Sequence, residues 1–213
     1  MRHLLIIGAS GGIGRHAVRQ ALGAGHRVRA LARDASRIDP AHPMLEVRSV
    51  DATDPTGMRA ALEDVDAVIQ TIGVAPSLPR MVTPIDIFSR STAVLVAEMA
   101  SSSVRRLVAV TGFGAGDSRE ALSPPERLVH RLVLGTAYAD KDRQEDLIRA
   151  SALDWLIVRP TILTNGGGSG RYQVLVSPQS WRNGLIARSD VADFLVREAA
   201  EPRHSRMTPV LAY

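Results

Sequence analysis

The sequence predicts an α/β fold, a Rossmann-like doubly wound and mostly parallel sheet with helices on both faces. Two observations carry that prediction. Short apolar runs alternate with amphipathic stretches along nearly the whole chain, as repeated strand–helix units do. The first run, His3 to Ile7, passes directly into a glycine-rich turn and then a helical stretch. The 213 residues show no internal repeat, linker or low-complexity tract, so one domain over 1–213 is expected. Its small substrate-facing part would be drawn from 76–84 and 161–188.

Residues 2–7 read as the first strand and 13–24 as the first helix, closed by Gly23 and Gly25. Arg27 to Ala32 alternates with the period of a strand, and Met44 to Arg48 follows a loop carrying Pro40 and Pro43. Asp54-Pro55 is an N-cap followed by a first-turn proline and opens a helix to about Leu62. Ala67 to Thr71 is the fourth strand. A proline-rich stretch from Pro76 to Pro84 precedes a long helix over 84–101. Arg106 to Thr111 is the fifth strand, 124–134 and 140–150 read as two helices, and Trp155 to Arg159 is a strand stopped by Pro160. Asn165 to Gly170 is a glycine-rich loop. Short strands are expected at 172–176 and 184–187, then a helix capped by Ser189, then a last edge strand at 208–211.

Composition excludes several classes. No apolar run approaches the ~20 residues of a membrane span, and the N-terminus enters a strand without resembling a signal peptide. There are no cysteines, which excludes disulfides and thiolate metal sites and fits a reducing cytoplasm. The net charge is +4, its basic residues are scattered and aromatics are only 4%, so a nucleic-acid platform is not expected. The six histidines show no metal-ligand spacing, so no metal site is expected. Lys141 is the only lysine beside 25 arginines. A compact ammonium on a flexible stem is not equivalent to a planar guanidinium, so this survivor is a candidate for a specific role.

Gly8, Gly11 and Gly14 are spaced G-x-x-G-x-x-G between a strand and a helix. In that context glycines let a ligand approach the backbone, and the unpaired N–H groups of the helix attract phosphate. Gly8, Ser10, Gly11, Gly12, Ile13 and Gly14 are therefore the expected cradle of a dinucleotide. Where an acidic residue would bind a ribose hydroxyl, the chain has Arg33 followed by Asp34. An arginine fork suits phosphate oxygens, so NADP(H) is preferred, with Arg15 as a helper, while Asp34 keeps NAD(H) possible. Asp51 and Ala52 should meet the adenine, and Thr71, Ile72 and Gly73 should line the path of the pyrophosphate and ribose.

With these motifs the chain resembles the atypical short-chain dehydrogenase/reductases. Within them it is similar to the NAD(P)H-binding group that includes flavin reductase/biliverdin-IX-beta reductase, NADH-flavin reductases and NmrA-like proteins. The matching segments are Gly8 to Gly14, Leu31 to Asp34, Val108 to Gly116, Asp140 to Glu145, Leu153 to Pro160 and Ile186 to Ala192. The resemblance implies a catalytic hydroxyl residue after the fifth strand, matched by Thr111, and a tyrosine with a lysine four residues on. Here Tyr138 and Lys141 are three apart, which still shares a helix face but leaves the proton-donor role of Tyr138 off-pattern. It also implies that Lys141, one turn before Glu145, faces the cofactor's ribose or nicotinamide. Pro160, Thr161 and Ile162 resemble the segment whose backbone holds the carboxamide.

The expected function is an NADPH-dependent oxidoreductase passing hydride to a flavin- or quinone-like acceptor, because such acceptors need no strong acid and catalysis reduces to orientation. The expected partner is a small aromatic acceptor, with Phe113, Met81, Tyr172 and Trp181 as candidate flat surfaces, and a monomer or small homo-oligomer. A non-catalytic NADP(H)-binding redox sensor is the alternative. Sugar-nucleotide epimerase or dehydratase chemistry is the second, with only about 50 residues after the sixth strand to hold such a substrate.

Overall fold

The computed structural model describes residues 1–38, 41–74 and 85–213. Its centre is an eight-stranded sheet built from β1 (His3–Ile7), β2 (Arg27–Ala32), β3 (Leu45–Ser49), β4 (Ala67–Gln70), β5 (Arg106–Val110), β6 (Asp154–Pro160), β8 (Gln173–Leu175) and β10 (Val210–Ala212). β7 (Ile162–Thr164) and β9 (Leu185–Ala187) pair in a separate parallel ribbon. The sheet order is β3-β2-β1-β4-β5-β6-β10-β8, and every pair is parallel except β10–β8. The chain winds outward from β1 to β3, returns to β4 and winds the other way. That reversal leaves a crevice at the carboxyl ends of β1 and β4, where doubly wound sheets bind ligands.

The period of two in β1 divides the core. Leu4 and Ile6 face one layer with Ala17, Val18, Val191 and Leu195. Leu5 and Ile7 face the other with Met58, Leu95, Met99 and Ile148. The first layer belongs to α1 (Gly12–Gly23) and α5 (Arg188–Ala200), the second to α2 (Pro55–Ala61), α3 (Ile87–Ala100) and α4 (Pro124–Arg149). Asp54 caps α2 as expected, accepting from Thr56 and Gly57 N–H at 3.1 Å each.

Three elements differ from the sequence reading. The segments 124–134 and 140–150 are one 26-residue helix, α4. A single Gly135 costs a helix only about 1 kcal/mol, and tertiary bonds hold the middle of α4. The Asp140 carboxylate accepts the N–H groups of Phe88 (2.8 Å) and Ser89 (3.2 Å), capping α3 from outside. Ser189 is not the cap of α5: Ala187 occupies that position, and α5 starts at Arg188. The last strand is not an edge, since β10 lies buried between β6 and β8. No described helix is long and apolar enough to cross a membrane. The expected substrate-facing stretch 76–84, with Met81, lies outside the described residues.

Candidate functional site

The first functional feature is the turn after β1. Gly8 has φ +81°, and a Cβ there would stand 2.9 Å from the Thr71 carbonyl carbon. A Cβ on Gly14 would stand 2.3 Å from the Gly8 carbonyl oxygen. Only glycine lets β1, the end of β4 and the first turn of α1 meet this closely. Gly8 and Ala9 N–H both reach the Leu31 carbonyl, at 3.1 and 3.0 Å, locking the loop to β2. No side chain caps α1 and its first turn holds no acid, so its positive end is open. These features fit a pyrophosphate. Ser10, Gly11 and Gly12 line the loop half-exposed, while Ile13 is buried in the core.

At the end of β2, Arg33 is exposed. Asp34 is turned to its own loop, accepting from Ser36 N–H (3.1 Å) and Ser36 Oγ (2.6 Å), bonds that hold its carboxyl below the usual value. Asp51 likewise accepts from Thr53 N–H and Oγ1 at 2.8 Å each through one oxygen, with Arg33 among the charges around it and Ala52 beside it. After β4, Thr71 is buried with its hydroxyl on the Ile7 carbonyl (2.9 Å), Ile72 is half-buried and Gly73 is exposed.

The second feature lies at the ends of β5 and β6. The Thr111 hydroxyl donates to Glu145 Oε1 at 2.8 Å, and the Lys141 ammonium donates to the Thr111 carbonyl. Continuous α4 puts Tyr138 and Lys141 on one face, with Lys141 Nζ 5.1 Å from the Tyr138 ring centre and 5.2 Å from that of Phe88. A Cβ on Gly112 would stand 2.5 Å from Tyr138 Oη and 3.4 Å from Lys141 Nζ. Gly112 is thus the empty place that admits the phenol. Burial pushes the Tyr138 hydroxyl up to about 12. Burial pulls Lys141 down to about 8, against the opposing charge of Glu145.

Glu145 makes no surface pair with Lys141. It is buried and takes Arg159 Nε at 2.9 Å and Nη2 at 2.5 Å, while Arg159 Nη2 also reaches Asp117 at 2.6 Å. Residue-by-residue reasoning missed this pair. The four-residue spacing of Lys141 and Glu145 was its one visible signal, because Arg159 comes from a different element. The segment after β6 is tied to its neighbours through its N–H groups. Thr161 N–H and hydroxyl both bond the Leu211 carbonyl (3.1 Å each), and Ile162 N–H bonds the Gly184 carbonyl (3.1 Å). Pro160 has no N–H, so none of these three residues has a backbone donor to spare for a carboxamide. What the segment presents is the exposed Ile162 side chain.

Two of the expected flat surfaces are core. Phe113 and Trp181 pack with Leu122, Leu175 and Val210. Tyr172 bonds Asp193 at 2.7 Å and stacks edge-on against Phe194, on the α5 side. The aromatic surface beside the cluster is instead Tyr138 with His130, ring centres 4.1 Å apart. They border a depression of about 470 Å³ with Arg119, Arg127, Arg131 and Leu128. Among the described residues no group of histidines and carboxylates could hold a metal.

A glycine turn at the reversal of a 3-2-1-4-5-6 sheet, with polar side chains gathered at neighbouring strand ends, defines a Rossmann-like dinucleotide-binding protein. The family model for NAD(P)H-binding proteins matches residues 8–202, and the chain belongs to that family. ChuY, an anaerobilin reductase from Escherichia coli O157:H7, superposes with a TM-score of 0.82 at 25% identity over 99% of this chain and 96% of that one. A short-chain dehydrogenase/reductase from Veillonella parvula, solved in complex with NADP, gives 0.84 at 18% identity over 100% and 94%. YwnB of Bacillus subtilis is 26% identical over 214 residues, covering 93% of this chain and 92% of its own.

Proposed function

We propose that the protein is an NADPH-dependent reductase that passes hydride to a flavin- or quinone-like acceptor seated beside Tyr138. The observation that carries this is where Lys141 stands relative to Tyr138. Its ammonium donates to the Thr111 carbonyl and lies 5.1 Å from the centre of the Tyr138 ring, so it does not bond and activate the phenol, whose hydroxyl burial also pushes up. Reduction of a simple carbonyl needs a strong proton donor, whereas a flavin or quinone takes the hydride and draws its proton from water. The bound dinucleotide supplies the hydride.

The residues of the chain bind and orient. Gly8, Ser10, Gly11, Gly12, Ile13 and Gly14 receive the pyrophosphate, and Arg33 receives a 2′-phosphate while the Asp34 carboxylate is turned to Ser36. Asp51 and Ala52 meet the adenine. Thr71, Ile72 and Gly73 line the way to the reacting end, where Lys141 and Thr111 hold the second ribose. From the segment Pro160, Thr161 and Ile162, the exposed Ile162 side chain backs the nicotinamide ring. Glu145 and Arg159 fix Thr111 from behind. Arg127, tied to the neutral carbonyls of Leu122 (2.8 Å) and Glu120 (2.7 Å) and with no carboxylate partner among the described residues, adds positive charge to the depression. That favours acceptors carrying a carboxylate or phosphate. ChuY is a reductase of similar fold, which agrees with this class of reaction.

The test follows NADPH oxidation with riboflavin, FMN and a set of quinones. Turnover is expected; tight NADPH binding with no acceptor reduced overturns the proposal. The sensor reading has one observation in its favour, the exposed apolar stripe Leu128, Val129 and Leu132 on α4. It requires that Lys141→Ala and wild type bind NADPH equally and that neither turns over.

A further inference from the structure

We propose that Arg188 clamps the dinucleotide's pyrophosphate against the first turn of α1. The inference rests on the dinucleotide site of the reading above, not on its acceptor. Arg188 opens α5, on the far side of the glycine turn, and its side chain runs across Gly12. A Cβ on Gly12 would stand 2.7 Å from Arg188 Cδ and 2.8 Å from its Nε. Gly12 is not one of the three regularly spaced glycines, and the Arg188 stem runs through the space a side chain there would take.

The guanidinium is held in place by neutral groups. Nη1 donates to Asn165 Oδ1 at 2.6 Å and to the Leu163 carbonyl at 3.4 Å. Among the described residues no carboxylate pairs with it. It therefore brings a full positive charge to the end of α1 that is already positive, uncapped and free of acidic residues. Arg15 and Arg19 lie on the same helix. His16 feels all three: burial first, then Arg19, Arg15 and Arg188, hold its pKa below the ordinary value. Arg188, and Arg15 in the first turn, bring like charges to one helix N-terminus, and an anion bound there would offset their repulsion. The chain belongs to an NAD(P)H-binding family, and the dinucleotide's pyrophosphate is an anion that a planar arginine fork can hold with two bonds. Arg33, at the end of β2, then serves the adenosine end, so the two arginines divide the phosphates between them.

The experiment compares two fragments of the cofactor, each displacing NADPH from the full chain by fluorescence. ADP-ribose carries the pyrophosphate without a 2′-phosphate, and 2′-AMP carries the 2′-phosphate without the pyrophosphate. Arg188→Met, which keeps the aliphatic stem, is expected to weaken ADP-ribose at least about tenfold and leave 2′-AMP unchanged, the loss of a charge-assisted bond. Arg33→Ala should do the reverse. Arg188→Lys should recover part of the ADP-ribose affinity at low salt. Unchanged ADP-ribose binding in Arg188→Met overturns the clamp. An equal loss for both fragments overturns it too, because it would show that Arg188 only braces the loop through Asn165. Each readout is a binding constant, so a wild-type protein that reduces no tested acceptor would refute the reductase reading and leave this result standing.

Discussion

At the β1–α1 end of the cleft the shape is made by backbone packed on backbone, whereas at the β5–β6 end it is made by side chains from three separate segments. Gly8 and Gly14 act by what they lack, and the contacts they permit are to main-chain atoms of Thr71 and of Gly8 itself. Thr111, Lys141 and Glu145 act by their polar atoms and depend on Arg159 from β6 for charge balance. Damage to the first region should therefore show in cofactor binding. Damage to the second should show in stability and in the chemistry.

The largest effect is expected at Glu145. Glu145→Ala leaves the Arg159 guanidinium, fully buried, facing only the exposed Asp117. Removing one partner of a buried pair costs about 3–5 kcal/mol, while replacing both by apolar residues is often close to neutral. Urea unfolding should show that loss for Glu145→Ala and recover most of it in Glu145→Leu/Arg159→Met. A single variant within about 1 kcal/mol of wild type would mean that the pair balances no charge that matters. Gly14→Ala comes next. Its methyl group would collide with the Gly8 carbonyl, and forced overpacking costs about 1–3 kcal/mol. NADPH affinity should fall with it, because the turn must open to make room. Equal Kd values for Gly14→Ala and wild type would show that the turn does not shape the cofactor site.

The same contrast explains what could be read from the sequence. The glycine turn and the α2 cap at Asp54 are local, so Gly8 to Gly14 and Asp54-Pro55 announced them. Continuous α4 was not legible across Gly135, because the bonds that hold its middle come from Phe88 and Ser89, some fifty residues away. Nor was the Glu145–Arg159 pair, whose partners lie on α4 and β6. Phe113 and Trp181 look like ligand surfaces by residue type, but their packing with Val210 and Ala212 of β10 is a long-range contact that only the fold shows. The N–H groups of Thr161 and Ile162 are taken by the Leu211 and Gly184 carbonyls, pairings that no spacing in the chain encodes.

A third test uses pH. Lys141, pulled down to about 8 by burial, loses its proton as pH rises through that value. It then no longer presents a cation to an anionic dinucleotide, so kcat/KM for NADPH should fall about tenfold per pH unit above 8. Lys141→Arg should stay flat and Lys141→Met should stay low throughout. Stability should move the other way. In the unfolded chain a lysine holds its proton up to about 10.4, so between about 8 and 10 the unfolded state binds more protons and the fold gains stability as pH rises. A decline in kcat/KM that persists unchanged in Lys141→Met would assign the titration to another group.

The smallest expected effect sharpens the acceptor end. Riboflavin and FMN share one reacting ring and differ by a phosphate, so their ratio isolates the charge of the depression from the chemistry. Arg119 spends its charge on Asp142, at 2.5 Å, but among the described residues Arg127 bonds carbonyls and no carboxylate, and Arg131 lines the same depression. These side chains are exposed, where a charge contact is worth about 0.2–1 kcal/mol. Wild type should therefore prefer FMN by about two- to fivefold in kcat/KM at low salt, and added salt should erase the preference. Arg127→Gln with Arg131→Gln should bring FMN down to the riboflavin rate without changing the latter. Equal rates for the two flavins in wild type at low salt would move the acceptor off this face of α4, leaving the Tyr138–Lys141 cluster to be approached from the Ile162 side.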